Sequence, residues 1–398
     1  MITVSEAFNL VLSTAQSYGA EMVSLENAIG RVLEEDILAD RHFPPFDRVT
    51  MDGISIAFAS LQKNQRKIKI ESIAAAGCPK VSLQDSNKCI EVMTGAVLPE
   101  GTDTVIRYED LEIIDGVCSI NAEVRNGQNV HKEGSDHNTN SVLLSKGHKI
   151  KSIDINVLAT VGKSKVAVVK TPSIAILSSG DELVPVDSEP LPHQIRMSNV
   201  HMLKARLSEL DVESDHFHIQ DDEIEIKNTL AKLIAKYDVI LMSGGVSKGK
   251  FDFIPDVLTS LGVECLFHKV AQRPGKPLWF GRNKAITVFA FPGNPVSTLA
   301  CFHKYFIPWL TKSTGQIYVQ PFVILRAKTE FKPNLTCFAQ AKIEFENGKI
   351  YADISKGNGS GDMVHPTEMD GFVELPQGKD VYQTDEVYSF IPFHSILK

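Results

Sequence analysis

The sequence predicts a multidomain α/β plus β protein. In it, a central, mostly parallel α/β domain is joined by two small β-rich domains and an elongated mixed domain. Residues 173–311 alternate apolar, β-branched runs with segments of helical periodicity, which is typical of βα units and a parallel sheet. Residues 50–130 and 315–398 contain short β-branched runs between Gly, Pro, Asn and Asp, which is typical of all-β modules. The length of 398 residues exceeds one ordinary domain and agrees with this division.

Composition argues against several classes of protein. The chain is 43% hydrophobic and 23% charged, which is typical of a folded globular protein and not of a disordered or fibrous one. Its formal net charge of −8 argues against a general nucleic-acid or anionic-membrane surface. Six cysteines show neither metal-binding nor disulfide spacing, so reduced thiols are expected. Without a signal peptide or an apolar run of about 18 residues, the expectation is a cytoplasmic protein with no membrane span.

Changes in the pattern of apolar, β-branched and turn residues along the chain predict four domains, one of them built from two separate stretches. Thr3 and Glu6 have capping-box spacing ahead of a helix over residues 3–16, and a second helix is predicted from Ser24 to about Val32. The predicted domains are an elongated mixed α/β domain of residues 1–42 and 131–170, a β-rich inserted domain of 43–130, an α/β domain of 171–314 and a β-barrel-like domain of 315–398.

Four strands and four helices are predicted inside the α/β domain. The strands are the runs SIAILS, VESDHFHI, DVILMS and ITVFAF. The helices begin where a capping side chain or a proline favours the first helical turn, at Asn199, Asp222, Pro255 and Asn294. The last of them is expected to run to about Phe306.

Polar, glycine-containing clusters follow three of these strands. Ligands of open α/β sheets bind beyond the carboxyl ends of the strands, so the three clusters are expected to converge on one ligand edge. A tight turn is the simpler explanation for any single Gly pair, but a pair also lets backbone approach a ligand or form an anion nest. A helix N-terminus at Asn294 favours phosphate. The candidate ligand residues are Ser179, Gly180, Ser243, Gly244, Gly245, Ser247, Pro292, Gly293, Asn294 and Pro295.

Carboxylates accompany the same predicted edge. Glu182, Asp222 and Asp252 are candidates to hold Mg²⁺, which commonly binds one or two carboxylates together with substrate phosphates. Carboxylates can also accept hydrogen bonds from an amino-pyrimidine. Structural alternatives stay open, because Asp222 can simply cap a helix and Asp252 can compensate a helix dipole. Neither a Rossmann glycine motif nor a P-loop occurs.

Two further groups are weaker candidates. Arg273 and Lys276 lie in the stiff turn RPGKP and suit a tetrahedral oxyanion, although solvated loop charges are the alternative. Asp52, Thr94 and Asp136 lie in polar turns that local chemistry alone would call structural.

Seven motifs occur in this chain in the same order as in a known protein family. They are PPFDRVTMDG (44–53), VMTGAVLPEGTDTVI (92–106), GQNVHKEGSD (127–136), ILSSGDEL (176–183), SGGVSKGKFDF (243–253), RPGKP (273–277) and FPGNPVS (291–297). With these motifs the chain resembles the molybdopterin molybdenumtransferases, which are related to the C-terminal domain of gephyrin. The resemblance implies insertion of molybdenum from molybdate into adenylylated molybdopterin, with release of AMP, formation of molybdenum cofactor and assistance by Mg²⁺.

The resemblance also implies partners. The expected assembly is a homodimer with its active site between subunits, so that Asp52, Thr94 and Asp136 of one copy approach the α/β edge of the other. Self-association, molybdate, adenylylated molybdopterin and an upstream molybdopterin adenylyltransferase are therefore the expected interactions, with neither nucleic acid nor membrane. Glu182, Asp222 and Asp252 match family acidic positions.

The same resemblance assigns pocket residues and exposes departures. Lys276, Pro292 and Pro295 match pocket positions, and the Ser-Gly stretch that contains Ser360 and His365 matches a family stretch in the C-terminal domain. Four features depart from the family pattern, namely Arg48-Val49-Thr50 for Asn-Ser-Ala, Ile54 for an aromatic residue, Arg273 for Lys and His365 for Ser. Two alternatives remain, a catalytically inactive gephyrin-like scaffold protein and a generic nucleotide-dependent phosphotransferase.

Overall fold

A computed structural model describes residues 1–63, 66–246 and 253–394 of the chain. The chain divides into two compact units. Unit 1 contains Met1–Glu21 and Val169–Lys398, and unit 2 contains Met22–Val168. Within the described part of the chain, every helix is too short or too polar to cross a lipid bilayer.

The described residues form seven α-helices and 28 strands. The helices α1 to α7 are Val4–Ser13, Ser152–Thr160, Asn199–Ser208, Glu223–Lys236, Ile254–Ser260, Pro295–Cys301 and Ile307–Ser313. The strands β1 to β12 are Ala20–Ser24, Ile37–Leu38, Arg48–Val49, Gly53–Ile56, Lys67–Ala74, Lys88–Val92, Thr104–Arg107, Leu111–Ile114, Val117–Ile120, Val130–His131, Val142–Leu144 and Lys165–Val169. The strands β13 to β21 are Ile174–Ser179, Leu183–Val184, Ile195–Arg196, Ser214–Ile219, Val239–Ser243, Glu264–His268, Gln272–Arg273, Trp279–Arg282 and Thr287–Phe291. The strands β22 to β28 are Phe322–Leu325, Thr329–Glu330, Thr336–Glu346, Lys349–Ile354, Gly371–Leu375, Val381–Tyr382 and Val387–Pro392.

The main sheet of unit 1 has the strand order β16-β13-β17-β21-β20-β18. The four strands predicted from the apolar runs, β13, β16, β17 and β21, pair in parallel, and β20 and β18 add antiparallel strands at one side. Both faces are covered, since Ile174 and Ile176 join the core beside α1, α3, α6 and α7, while Ala175 and Leu177 join the core beside α4 and α5. Alternation along a strand sends successive side chains to opposite faces, so a strand buried on both sides reads as a continuous apolar run.

The barrel predicted at the C-terminus is present. Strands β24, β25, β22, β28 and β26 pair in that order, and β24 also pairs with β26, which closes the ring. Closure removes the exposed strand edges that an open sheet would leave. Strand β19 of the α/β region adds to β24, with Arg273 opposite Cys337.

Unit 2 is largely β, as predicted for residues 43–130. Its six-stranded sheet has the order β7-β4-β6-β5-β9-β8, and three two-stranded sheets pair β10 with β3, β11 with β2 and β1 with β12. Helix α2 is followed directly by strand β12 in this unit. The four-domain boundaries remain a prediction, because the division into two units is coarser and places residues 1–21 with the α/β region.

Two helix predictions need correction. The helix expected from Ser24 to Val32 is only a 3-10 turn at Leu25–Asn27, because Val32 and Leu33 instead form β-bridges to Lys149 and Val168. The helix expected to end near Phe306 continues through a π-helical turn, Phe302–Phe306, into α7. The helix at residues 3–16 is confirmed as α1, with the predicted capping box between Thr3 and Glu6.

Candidate functional site

The tips of the parallel strands lie level with one another. Ser178 of β13 stands opposite both His218 of β16 and Ser243 of β17, and Ser243 stands opposite Phe291 of β21. The loops that follow β13, β17 and β21 therefore leave the sheet at the same edge. This edge also contains the crossover point of the topology, because the chain passes from β13 to β16 on one side and returns to β17 on the other.

The two glycines after β17 are required by close packing. A Cβ atom on Gly244 would lie 2.8 Å from the Ser179 carbonyl oxygen, and one on Gly245 would lie 2.2 Å from Ile254 Cδ1. Both residues also have positive φ, of 103° and 66°, which glycine adopts at least cost. The Gly pair is thus a tight turn packed on β13, at the edge where the three loops leave the sheet.

The loop after β21 is bound to the C-terminal barrel domain. The Asn294 side-chain Nδ2 donates to Ser360 Oγ at 2.8 Å, and the Val296 backbone N–H donates to the Ser360 carbonyl oxygen at 3.0 Å. Asn294 and Pro295 begin α6 as predicted. One of the N–H groups expected to bind phosphate is therefore used for an internal contact, and Ser360 belongs to the same edge of unit 1.

The acidic residues are partly structural. Asp222 Oδ1 accepts a hydrogen bond from the Glu225 N–H at 2.8 Å, which is the predicted helix cap of α4. Asp181 Oδ1 accepts one from the Asp221 N–H at 3.1 Å, so the loop of Glu182 lies beside the loop of Asp222. Among the described residues, no cluster of three or more metal-ligating side chains occurs.

Two predicted site residues, Ser247 and Asp252, lie outside the described residues.

The RPGKP turn has a buried backbone and exposed cations. The fully buried Gln272 side chain donates to the carbonyl oxygens of Pro274 and Gly275 at 3.2 and 3.1 Å, and a Cβ on Gly275 would lie 2.5 Å from Cys301 Sγ. The turn is thereby fixed against α6, while Arg273 and Lys276 are exposed. Such a turn presents two positive side chains from a rigid base, which suits an oxyanion.

His365 is held by two neighbours in the barrel domain. Its Nδ1 lies 2.8 Å from Gln340 Oε1 and its Nε2 lies 2.9 Å from Ser355 Oγ. Because the amide oxygen only accepts, Nδ1 carries the proton, and in the neutral ring Nε2 accepts from the Ser355 hydroxyl. Both ring nitrogens are therefore engaged within the barrel domain, and the imidazole is oriented by contacts that the sequence did not indicate.

Asp52 and Thr94 come together in unit 2. Asp52 Oδ1 accepts from the Thr94 backbone N–H at 2.6 Å and from the Thr94 hydroxyl at 2.8 Å. The Thr94 N–H, followed by its hydroxyl, lowers the pKa of the Asp52 carboxyl because both bonds favour the charged form. Gly53 anchors the turn, since a Cβ there would lie 1.9 Å from the Ile106 carbonyl oxygen. An exposed, ionised and oriented carboxylate results.

Asp136 is paired in another part of unit 2. Its Oδ1 lies 2.9 Å from His131 Nε2, and His131 Nδ1 lies 3.2 Å from Arg48 Nη2. Since the guanidinium can only donate, Nδ1 accepts and Nε2–H donates to the carboxylate. Arg48, which departs from the family pattern, therefore fixes the tautomer of the histidine that orients Asp136.

The sequence did not predict the residues that hold the candidate site residues in position. Gln272 and Gln340 hold predicted site residues but lie outside the quoted motifs, and His131 lies in GQNVHKEGSD without a feature that singles it out. Asn199 was expected to cap α3; instead, its side chain reaches the loops after β17 and β21. The position of Asn199 at the start of a helix was the only signal in the sequence. It suggested that the side chain bonds to the helix backbone, whereas it bonds to Ser243 and Gly293.

The parallel sheet covered on both faces, with glycine-containing loops at its carboxyl edge, places unit 1 in the α/β class of proteins. Residues 2–162 match the family model "MoeA N-terminal region (domain I and II)", and residues 175–312 match "Probable molybdopterin binding domain". The molybdopterin molybdenumtransferase of Synechocystis is 38% identical over 98% of this chain and 99% of its own length. The one from Staphylococcus epidermidis is 29% identical over 98% of this chain and 95% of its own length.

Solved structures agree with these relatives. The molybdopterin biosynthesis MoeA protein from Pyrococcus horikoshii superposes with a TM-score of 0.85 and 29% identity, covering 99% of this chain and 100% of that chain. The chain belongs to the molybdopterin molybdenumtransferase family and is a transferase of molybdenum cofactor biosynthesis.

Proposed function

We propose that the protein is a cytoplasmic enzyme that inserts molybdenum from molybdate into adenylylated molybdopterin, forming molybdenum cofactor and releasing AMP. One observation carries the proposal. Loops from three adjacent parallel strands come together at one edge, next to a rigid turn with two exposed cations. Full-length relatives named molybdopterin molybdenumtransferase support the same reaction.

The glycine loops and the cationic turn are proposed to bind different substrates, adenylylated molybdopterin and molybdate respectively. The bare backbone at Gly244 and Gly293 accepts a flat, phosphate-bearing ligand without Cβ atoms in its path. Gly180 is buried against the Glu182 carboxylate and allows that carboxylate to approach the backbone. Arg273 and Lys276 attract the molybdate dianion and hold it by charge-assisted hydrogen bonds. Binding both substrates on one rigid surface replaces a bimolecular encounter by a positioned reaction, which is the main contribution proposed for the enzyme.

Mg²⁺ is proposed to assist at the acidic side of the edge. Glu182 and Asp222 lie on neighbouring loops, and two carboxylates with substrate phosphates are a donor set that Mg²⁺ accepts. These two residues, with Asp252, would hold the ion. When bound, Mg²⁺ supplies positive charge that neutralises the pyrophosphate linkage. Glu182→Gln and Asp222→Asn should each raise the Mg²⁺ concentration needed for half-maximal activity.

The active site is proposed to be completed by a second copy of the chain. In a homodimer, Asp52, Thr94 and Asp136 of one copy would act with the α/β edge of its partner. Asp52 in this chain is exposed and oriented by Thr94, as a group that acts on a neighbouring molecule would be. An upstream molybdopterin adenylyltransferase is the expected supplier of the substrate.

Molybdate-dependent release of AMP by the purified protein tests the proposed reaction. Wild-type protein should release AMP from adenylylated molybdopterin only when molybdate is present. A gephyrin-like scaffold would release none, and a generic phosphotransferase would turn over ATP without any pterin. The transferase names of the full-length relatives favour the enzyme over the scaffold.

Mixing two inactive variants tests the shared site. Asp52→Ala and Glu182→Ala proteins should each be nearly inactive as homodimers. After exchange of subunits, a site made from two copies leaves one intact site in each mixed dimer, and activity should return. Continued inactivity of a verified mixed dimer would contradict the shared site while leaving the reaction itself standing.

A further inference from the structure

Asn199 connects the loops that follow two adjacent strands. Its side-chain Nδ2 lies 2.8 Å from Ser243 Oγ at the end of β17 and 2.7 Å from the Gly293 carbonyl oxygen after β21. A third acceptor, Thr298 Oγ1 of α6, lies at 3.3 Å. One carboxamide group therefore bonds to the end of β17 and to the loop after β21, both at the edge that is proposed to bind the pterin.

The N-terminus of helix α3 has no side-chain cap. Ser198 occupies the N-cap position and makes no side-chain capping hydrogen bond, and Asn199 is directed to the loops instead. A side-chain cap contributes about 1 kcal/mol to helix stability. Asn199, the first residue of α3, thus bonds to the end of β17 and to the loop after β21 without capping its own helix.

The bonding pattern requires an amide. The Gly293 carbonyl only accepts, so the group facing it must be the NH₂ of the carboxamide. Asn199 Oδ1 is buried and accepts no hydrogen bond from the residues that the structure describes. A carboxylate at this position would place an oxygen against the Gly293 carbonyl and would have no proton to donate.

Thr298 completes the support of the second loop. Its hydroxyl donates to the Pro292 carbonyl oxygen at 2.6 Å, so two consecutive carbonyls, of Pro292 and Gly293, are held by side chains from helices. The two loops also touch, since a Cβ on Gly293 would lie 3.7 Å from Gly244 Cα. The Gly244 backbone N–H also donates to the Phe291 carbonyl oxygen at 3.2 Å, and the side-chain donors of Asn199 and Thr298 add to this backbone contact.

We propose that Asn199 is a positioning residue for the pterin-binding half of the edge, acting through the Ser243 and Gly293 loops without touching the substrate. The inference rests on the proposed function. We expect molybdate binding to be independent of Asn199, because other side chains, those of Gln272 and Cys301, bond to the backbone of the turn that carries Arg273 and Lys276.

Steady-state kinetics separate this role from a general loss of stability. Asn199→Ala should raise the KM for adenylylated molybdopterin by about tenfold and leave the KM for molybdate nearly unchanged. Asn199→Asp, which keeps the shape and removes the donor, should act in the same direction. A residue that served only folding would reduce the active fraction, hence kcat, and would change neither KM. Asn228→Ala, at an exposed position of α4, is the matched control and should leave all constants unchanged.

Thr298→Val provides a second variant if the Asn199 proteins fold poorly, and it should also raise the KM for the pterin substrate alone. An unchanged KM for that substrate, or equal increases for both substrates, would overturn the positioning role. If wild-type protein released no AMP, the proposed function would fail. The role of Asn199 would then be decided by calorimetric titration of adenylylated molybdopterin, in which wild type must bind about tenfold more tightly than Asn199→Ala.

Discussion

The Asp52 carboxylate accepts two hydrogen bonds from a single residue, Thr94, at 2.6 Å from its backbone N–H and 2.8 Å from its hydroxyl. The two residues are 42 positions apart and meet because Gly53 of β4 pairs with Val92 of β6. An exposed carboxylate with this support has a defined direction as well as a defined charge.

Loss of this charge should affect catalysis. Asp52→Asn is expected to lower kcat for AMP release by about 100-fold, a typical cost for removing a positioned charged group from a reaction. Thr94→Val should produce a smaller loss, because the backbone N–H still orients the carboxylate. Asp85→Asn is the control, since the half-buried Asp85 carboxylate accepts local hydrogen bonds from Asn87 and lies outside the proposed site. Full activity of Asp52→Asn would exclude a catalytic role.

The titration of Asp52 should report the Thr94 contact. Its pKa is lowered by the Thr94 N–H and hydroxyl, so the stabilising contribution of the contact is present above the ordinary aspartate pKa. That contribution is lost as the pH falls through the lowered value. Carbon-detected NMR of the carboxylates should show the Asp52 midpoint moving upward in Thr94→Val, and an unmoved midpoint would mean that the hydroxyl contributes nothing.

Gly53 should tolerate no side chain. Gly53→Ala places a methyl group 1.9 Å from the Ile106 carbonyl oxygen, and the strain should reduce the free energy of unfolding by about 3 kcal/mol. Gly116→Ala is the control in the same sheet. Gly116 has positive φ but no neighbour within 4 Å of a Cβ, so only about 1 kcal/mol should be lost. Urea denaturation of the three proteins measures the difference, and equal losses would contradict a steric cause.

The cations of the RPGKP turn should act on molybdate. Arg273→Ala and Lys276→Ala are expected to raise the KM for molybdate by about tenfold each, while thermal stability stays near wild type because both side chains are exposed. Lys284→Ala, an exposed lysine in the turn between β20 and β21, should change neither value. An unaltered molybdate KM in both turn variants would reassign the oxyanion site.

An ion pair between Lys304 and Glu374 joins the helical region that follows α6 to strand β26 of the barrel. Lys304 Nζ lies 2.6 Å from Glu374 Oε2 and 4.5 Å from the centre of the Phe8 ring, and the Lys304 side chain is 6% exposed. Lys304→Met should lower the free energy of unfolding by about 3 kcal/mol, since it leaves the partly buried Glu374 carboxylate, 18% exposed, without its partner. The double variant Lys304→Met/Glu374→Leu should recover much of this loss. Lys328→Met, at an exposed pair with Glu330, should have little effect.

The sequence alone determined the features that depend on local pattern. Strands β13, β17 and β21 are apolar on both faces, and a continuous apolar run of that length predicts a doubly covered strand. The cap of α4 at Asp222 and the capping box of α1 likewise follow from residues three positions apart. The shared edge followed from a topological rule, because the carboxyl ends of adjacent parallel strands must lie together.

Only the tertiary structure decided which side chains hold the site residues. The contacts of Asn199 with Gly293, of His365 with Gln340 and of Arg48 with His131 span 94, 25 and 83 positions. Hydrogen bonds of this kind require residues remote in sequence to be placed to within a few tenths of an ångström, and neither periodicity nor composition encodes such placement. The segment from Ser24 to Val32 shows the same limit. Long-range β-bridges of Val32 and Leu33 within the chain outweighed a weak local preference for helix.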